Sequence, residues 1–416
     1  MQTNLADFIK DTPQGQEADA ILRKCVHCGF CLATCPTYNL LGDELDSPRG
    51  RIYLMKQMLE GAPVTANTQL HLDRCLTCRA CETTCPSGVQ YGRLLDIGRE
   101  IVESKVQRGA IDRLQRGVLK AVLPRTGLFK MGLAMGRALK PLLPAALAKK
   151  IPSKRAAGAW PAARHARKML VLEGCVQPAM APNINAATVR VLDQLGISLI
   201  AAEKAGCCGA IPQHLSDSHQ ADVFIKRNID AWWPAIEQGA EAIVVTASGC
   251  GALVAEYGHI LRNDTAYAAK AARVTALFRD VSQVIVQEKD ALAKKLAAGS
   301  GTGQKLAFHS PCSLQHGLQI KGVVEDLLRA AGYELTMVPD GHLCCGSAGT
   351  YSLLQPELSQ QLLSNKVKAL ESGAPQMIAT ANIGCLAHIE SGLNASSRAP
   401  IRHWIELLDL RLQAVV

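Results

Sequence analysis

Four cysteines fall within eleven positions in the stretch "CVHCGFCLATCPTYNL", residues 25–40, and fifty residues later the pattern returns as "CLTCRACETTCPSGVQ". Both runs have the spacing C-x2-C-x2-C-x3-C, and in both a proline, Pro36 or Pro86, directly follows the last thiol. Eight thiols brought this close along the chain must be cross-linked, gathered on metal, or kept reduced. The compartment narrows the choice. The N-terminus, "MQTNLADFIKDTPQGQ", has no cationic start followed by an apolar core, so a secretory signal is not expected. The 16 cysteines of the 416-residue chain would then face a reducing cytosol, where structural disulfides are rare. Metal binding or redox chemistry becomes the leading explanation.

The doubled spacing is the one by which bacterial ferredoxins hold [4Fe–4S] clusters. Three thiolates wrap one face of a cubane on a tight turn, and the fourth ligates the other cluster when two runs exist. The expected sets are Cys25, Cys28, Cys31 and Cys85 on one cluster, and Cys75, Cys78, Cys81 and Cys35 on the other. Each proline fixes φ and breaks the chain after the crossing ligand. Zinc is the main rival, but two x2-x2-x3 runs fit it poorly. His27, inside the first turn, reads as a surface residue or a support to the ligands. Arg49, Arg51, Arg74 and Arg79 lie close by in sequence; they either compensate cluster charge or are ordinary surface arginines.

Between the runs, "SPRGRIYLMKQMLEG" reads as a helix, with Ser47 as N-cap and Pro48 in the first turn. Ile52, Met55 and Leu59 fall on one face, and Gly61 closes it. The first domain is therefore expected to be mostly helical, over residues 1–104.

The remaining cysteines form an internal repeat. The first copy runs "KMLVLEGC", "ISLIAAEKAGCCGA" and "EAIVVTASGC"; the second runs "KLAFHSPC", "YELTMVPDGHLCCGS" and "QMIATANIGC". In both, the lead cysteine precedes the Cys-Cys-Gly by 32 positions (175 to 207, 312 to 344), and the last cysteine follows the pair by 42 or 40. Short β-branched runs alternate with amphipathic stretches such as "NAATVRVLDQLG" and "VVEDLLRAAG", which predicts parallel sheets covered by helices. The cysteines then sit just after strand ends, at the edge where open α/β sheets bind ligands, and two such modules can share a cleft. The expected fold class is α+β and multidomain: a helical two-cluster ferredoxin domain, then two repeated α/β Cys-Cys-Gly modules at 169–298 and 305–416. Each module offers four thiols: Cys175, Cys207, Cys208 and Cys250 in the first, Cys312, Cys344, Cys345 and Cys385 in the second. A further iron–sulfur cluster, a zinc, or buried reduced cysteine all fit such a quartet. Gly209 and Gly346 would let the backbone pass close to a bulky inorganic centre. "GSGTGQK", 299–305, precedes a strand instead of following one and reads as a linker.

Charge is uneven. From Lys105 to Lys168 sixteen Lys/Arg face one acid, Asp112, a local net of +15 against +9 for the whole chain. The segment 105–168 lacks the interleaved aromatics of a nucleic-acid stacking surface, so nucleic acid is not an expected partner. Apolar residues between its charges suit an interfacial helix on anionic lipid or an acidic partner; a solvated linker is the alternative. No apolar run is long enough to span a bilayer.

Two ferredoxin runs followed by two Cys-Cys-Gly modules resemble the iron–sulfur subunits of membrane-linked dehydrogenases. That family includes heterodisulfide reductase, anaerobic glycerol-3-phosphate dehydrogenase and lactate-utilisation relatives. "CVHCGFCLATCPTYNLLGDELDSPRGRIYL", "LDRCLTCRACETTCPSGV", "NIDAWWPAIE", "TASGCGA", "HLCCGSAGTY" and "TANIGC" are similar in particular to the glycolate oxidase (glycolate dehydrogenase) iron–sulfur subunits. The resemblance implies an electron-transfer subunit of an oxidoreductase complex. It would pass electrons from a partner flavoprotein, which oxidises glycolate to glyoxylate, towards membrane quinone, from the cytoplasmic face of the membrane. Lactate or glycerol-3-phosphate dehydrogenase subunits and a heterodisulfide-reductase-like enzyme are the alternatives. The full Cys-Cys-Gly motif ends C-x-x-C, and here Leu253 and His388 stand in the final positions, which speaks against five-thiolate clusters. Neither a G-x-G-x-x-G nor a flavin signature is visible, so no catalytic residue for hydroxy-acid oxidation is expected in this chain.

Overall fold

The computed structural model describes residues 1–142, 151–297, 301–393 and 399–414. Its N-terminal part is helical because proline and hydroxyl caps punctuate the sequence. Thr12 accepts a hydrogen bond from Gly15 N ahead of helix Pro13–Lys24, and Ser47 accepts one from Gly50 N at 2.9 Å ahead of helix Pro48–Leu59. Ile52, Met55 and Leu59 pack with Ile21 and Leu22 of the first helix and with Leu94 and Leu95 of helix Tyr91–Lys105. This core leaves the two cysteine loops as the irregular end of the domain.

Two parallel sheets follow. In the first, β1 (Arg167–Leu172), β2 (Ile197–Ala201), β3 (Ile243–Val245) and β4 (Phe278–Asp280) lie in the order β2-β1-β3-β4. In the second, β5 (Lys305–His309), β6 (Glu334–Leu335), β7 (Met377–Thr380) and β8 (Ile401–His403) repeat it as β6-β5-β7-β8. Helices cover both faces, which is why β1, β3 and β7 read as near-continuous apolar runs. The amphipathic stretches noted above form helices Pro182–Gln194 and Val323–Ala330. One apolar core joins the modules: Ile184 and Val191 share it with Trp404 and Leu408, and Arg190 grips Asp409 at 2.6 Å across the joint.

The strand ends place the thiols. Cys175 and Cys312 come three residues after β1 and β5, and Cys250 and Cys385 five residues after β3 and β7. All four lie at carboxyl edges, as open α/β sheets favour for ligands. The helical domain lies over these edges. Arg93 and Arg79 reach Glu256 of the first module at 2.8 and 3.4 Å, while Thr83 Oγ1 and His316 Nδ1 of the second meet at 2.8 Å.

The basic segment forms helices Ala110–Val122 and Thr126–Leu139; residues 143–150, with Lys149 and Lys150, lie outside the described residues, as do residue 298 and residues 299–300 of the linker. The first of these helices is inside out. Its charged face docks on the protein, Arg116 meeting Asp73 at 3.0 Å and Lys120 meeting Asp217 at 2.9 Å. Its apolar face, Ile111, Leu114 and Val118, points outward at 84, 71 and 52 % exposure. Met131, Met135 and Leu139 of the second helix are exposed too. Among the described residues no helix is long and apolar enough to cross a membrane.

The Cys-Cys-Gly glycines are also constrained by packing. Gly346 has φ +90°, and a Cβ there would sit 2.7 Å from Ser359 O; Gly209, at φ +99°, would meet Ala221 O at 3.2 Å. The close approach is to the backbone of a neighbouring helix. Gly174 has a similar φ of +83° with open space around it. Gly174→Ala should therefore cost only the left-handed penalty of about 1–2 kcal/mol, and Gly346→Ala clearly more. Urea unfolding of both variants measures this, and equal losses would refute the steric account.

Candidate metal centres

Each ferredoxin loop must curl so that three thiols face one point. The backbone does this with left-handed residues at matched offsets: His27 (φ 56°) and Gly29 (φ 85°) in the first loop, Thr77 (φ 52°) and Arg79 (φ 59°) in the second. Three of the four are not glycine, a conformation that costs energy and persists only where its surroundings hold it. The result is two adjoining clefts. One is lined by Cys25, Cys28, Cys31 and Cys85, with Cys81 in its wall. The other is lined by Cys35, Cys75, Cys78 and Cys81. The crossed sets expected from the spacing are thus brought together, the fourth thiol of each run standing in the cleft of the other. Among the described residues none of these cysteines is paired in a disulfide. Burial and then Cys312 nearby push the Cys78 thiol up, and burial pushes Cys31 up to about 11. Gathered thiols of this kind ionise together only around a cation, so the donor set fits a cluster.

Of the four arginines singled out in the sequence, one touches a ligand sulfur. Arg51, 1 % exposed, lies 3.9 Å from Cys35 Sγ and 3.1 Å from both Thr37 Oγ1 and the buried Asp46. Arg74 is held by Asp46 at 2.8 Å, Arg49 by Glu44 at 2.8 Å, and Arg79 by Glu82 at 2.9 Å. His27 lines the first cleft and stands edge-on to Tyr53. Sequence reasoning missed the hydroxyls: Thr37 Oγ1 is 3.3 Å from Cys35 Sγ, and Tyr91 donates to Cys75 Sγ at 3.6 Å. Only the fold brings Tyr91 back over the second loop.

Both module quartets assemble. Cys175 and Cys208 donate to Cys207, holding that thiol down while their own ionisation is pushed up. Cys250 adjoins Cys208. In the second module Cys312 and Cys344 lie 3.8 Å apart, Cys344 meets Cys345, and Cys345 meets Cys385. Backbone amides support both pairs alike: Gly209 N donates to Cys207 Sγ at 3.5 Å, and Gly346 N to Cys344 Sγ at 3.4 Å. His388, at the departing C-x-x-C position, is bonded to Ser359 at 3.2 Å, and Leu253 is in the core. The quartets differ in their neighbours. Cys344 and Cys312 pack with Leu76, Tyr351 and Cys78, so the second quartet abuts the second ferredoxin cleft. In the first, Cys175 and Cys207 pack with Phe224, Val176 and Ile211, and Cys208 and Cys250 pack with Leu253 and Phe278.

Two adjoining four-cysteine clefts over two cysteine-lined sheet edges define an iron–sulfur protein of the dicluster type with paired cysteine-rich domains. A 4Fe-4S dicluster domain model matches residues 21–89, and a cysteine-rich domain model matches twice, at 169–255 and 306–390. The chain is 55% identical over 414 residues to the glycolate oxidase iron-sulfur subunit of Escherichia coli, covering 99% of this chain and 100% of that protein. It is 29% identical over 422 residues to a probable glycolate oxidase iron-sulfur subunit of Bacillus subtilis, covering 94% of each. Lactate utilization protein A of Bacillus licheniformis is 28% identical over 239 residues, 57% of this chain and 97% of that protein. The chain belongs to the family of glycolate oxidase iron–sulfur subunits, components of an oxidoreductase.

Replacing Arg51 by Met leaves Asp46 buried with Arg74 and with His71, whose Nδ1 stands 3.1 Å away, and removes the cation beside Cys35. Breaking a buried pair costs about 3–5 kcal/mol, and the lower end is expected because Arg74 remains. The midpoint potential of the centre held by Cys35 should also fall, because added positive charge favours reduction. Denaturant titration and EPR-monitored redox titration test the two effects; unchanged values in both would exclude the charge role of Arg51.

Proposed function

We propose that this chain is the electron-carrying subunit of a glycolate dehydrogenase complex. It takes electrons from a partner flavoprotein that oxidises glycolate to glyoxylate and passes them towards membrane quinone. The observation that carries this reading is the pair of crossed four-cysteine clefts, side by side, with the second in contact with a further cysteine quartet. Cys25, Cys28, Cys31 and Cys85 would hold one [4Fe–4S] cluster, and Cys75, Cys78, Cys81 and Cys35 the other. Such a cluster supplies one-electron exchange, whereas removal of hydride from an α-hydroxy acid needs a two-electron acceptor, hence the separate flavoprotein. The residues of this chain bind, shield and bias. Arg51 sets positive charge on Cys35, Tyr91 and Thr37 direct hydroxyls at ligand sulfurs, and Leu76 and Tyr351 close the space between Cys78 and Cys344 to water. The end open to solvent is the first cleft, where Cys28 is exposed and Val26 and Phe30 stand out at 68 and 64 % exposure. That apolar collar suits a docking partner. We retain the division into 1–104, 105–168, 169–298 and 305–416 for this scheme, the first unit holding the clusters and the last two a further centre or zinc.

Anaerobically purified chain should carry about eight irons in residues 25–85. Cys25→Ser and Cys75→Ser should each remove one cluster, and retention of both clusters in both variants would defeat the ligand assignment. In the assembled complex, Cys78→Ser should spare reduction of the flavin by glycolate and block onward transfer to quinone. Stopped-flow separates these half-reactions. Glycolate turnover by this chain alone, or normal quinone reduction by the variant, would end the relay reading.

The outward apolar stripe of helix Ala110–Val122, set in a segment of net charge +15, supports peripheral docking on the cytoplasmic face of the membrane. Charges exposed to solvent are screened beyond about 10 Å at 0.1 M salt, while apolar insertion is not. Association with anionic vesicles should therefore fall with salt, and Leu114→Asp with Val118→Asp should abolish what remains. Binding indifferent to salt and to both substitutions would reduce the segment to a linker.

A further inference from the structure

Because the modules share one strand order, each ladder position in the first has a counterpart in the second. The last pair of the central strands ends three residues before the lead cysteine in both. In the first module it is Leu172 opposite Val245; in the second it is His309 opposite Thr380. Leu172 and Val245 are buried in a hydrocarbon core, so the fold has no need of polar groups at this position. His309 and Thr380 are equally buried, at 2 and 0 % exposure. His309 Nδ1 and Thr380 Oγ1 are hydrogen bonded at 3.0 Å, and His309 Nε2 has no hydrogen-bond partner. A buried ring nitrogen left unpaired is costly, and such a group calls for an explanation beyond packing. One is at hand. A ring nitrogen of His309 and the Sγ atoms of Cys345 and Cys385 all lie within 4.8 Å of one another.

We propose that His309 is a metal ligand, so that the second module binds one zinc or iron ion through a nitrogen and thiolates where the first module offers thiolates only. Tetrahedral zinc with bonds of about 2.0–2.1 Å to nitrogen and 2.3 Å to sulfur sets its donors roughly 3.6–3.8 Å apart. Small rotations bring the three donors to that spacing. Cys344, in contact with Cys345 and 3.8 Å from Cys312, stands outside that group of three and would complete the tetrahedron by turning towards it. Thr380 takes the part that an outer hydrogen-bond partner plays for a ligating histidine, fixing the ring and leaving the Nε2 lone pair for the ion. Mixed nitrogen and thiolate donation suits zinc or iron and disfavours hard cations. His388 does not compete for the site, being bonded to Ser359. The inference shares with the proposed function only the premise that this quartet takes metal.

The test uses the full chain, purified anaerobically, with zinc, iron and sulfide quantified beside EPR of the ferredoxin clusters. The first module supplies the control substitution: His309→Leu with Thr380→Val installs the pair that module already buries. Wild type should carry metal beyond the two ferredoxin clusters. The double variant should lose one centre's worth of it and keep both cluster signals. If zinc is retained, absorption at the zinc edge should fit one nitrogen and three sulfurs; if iron, pulsed EPR should show a nitrogen coupling. His309→Cys should recover the metal and lose the nitrogen signature. Metal content and signature unchanged in the double variant overturn the assignment of His309. Wild type without additional metal overturns it as well, and leaves the ferredoxin relay standing.

Discussion

Everything in the helical domain depends on exchange between its two cysteine loops. Neither loop has four thiols facing one point; each cleft is completed by the thiol that follows the other's short helical turn, Cys85 for the first and Cys35 for the second. The loops are therefore tied to each other before they are tied to anything else. Helix Pro48–Leu59 serves that tie. It spans the distance between the loops, buries Met55 and Leu59 beneath them, and carries Arg51 to Cys35. Burying a guanidinium is expensive, and here Asp46, Thr37 and the carbonyl of His71 all receive its hydrogens. A site built to gather thiolates has reason to keep a fixed cation beside them.

The second constraint is where the sheets end. A parallel strand delivers the residues after it to one edge, and both modules put a lead cysteine and a final cysteine there. The helical domain binds to that edge through ion pairs to Glu256 and through the apolar contact of Leu76 and Cys78 with Cys344 and Tyr351. The same edge thus carries both the module cysteines and the docking face of the helical domain.

Much of this was legible in the chain. Ligand spacing is local, so the crossed clefts, the capped helix from Ser47 and the cysteines after strand ends could all be read directly. Periodicity exposed the repeat, since each thiol recurs at a matched offset. What escaped were contacts set by tertiary structure. Thr37 and Tyr91 are unremarkable in sequence, and nothing local says that their hydroxyls meet sulfur. Nor does anything local say that Gly346 must clear Ser359 O of a helix thirteen residues on, where a Cβ would come within 2.7 Å. The charge of 105–168 was plain, but not that helix Ala110–Val122 turns its charges inward, because Asp73 and Asp217 come from far along the chain.

His309 was within reach of the sequence, and its case shows why repeats reward comparison at single positions. Aligning "KMLVLEGC" with "KLAFHSPC" sets His309 against Leu172, a change from hydrocarbon to imidazole inside a buried strand. A polar residue is tolerated in a dry core only where something compensates it. The copy that carries the imidazole is also the copy whose quartet touches Cys78. In the first quartet Cys175 and Cys207 pack with Phe224, while Cys250 packs beside Leu318 of the second module. Two like folds have thus diverged in the two respects that matter for a metal centre: its donor set, and whether it adjoins the clefts through which electrons would reach it.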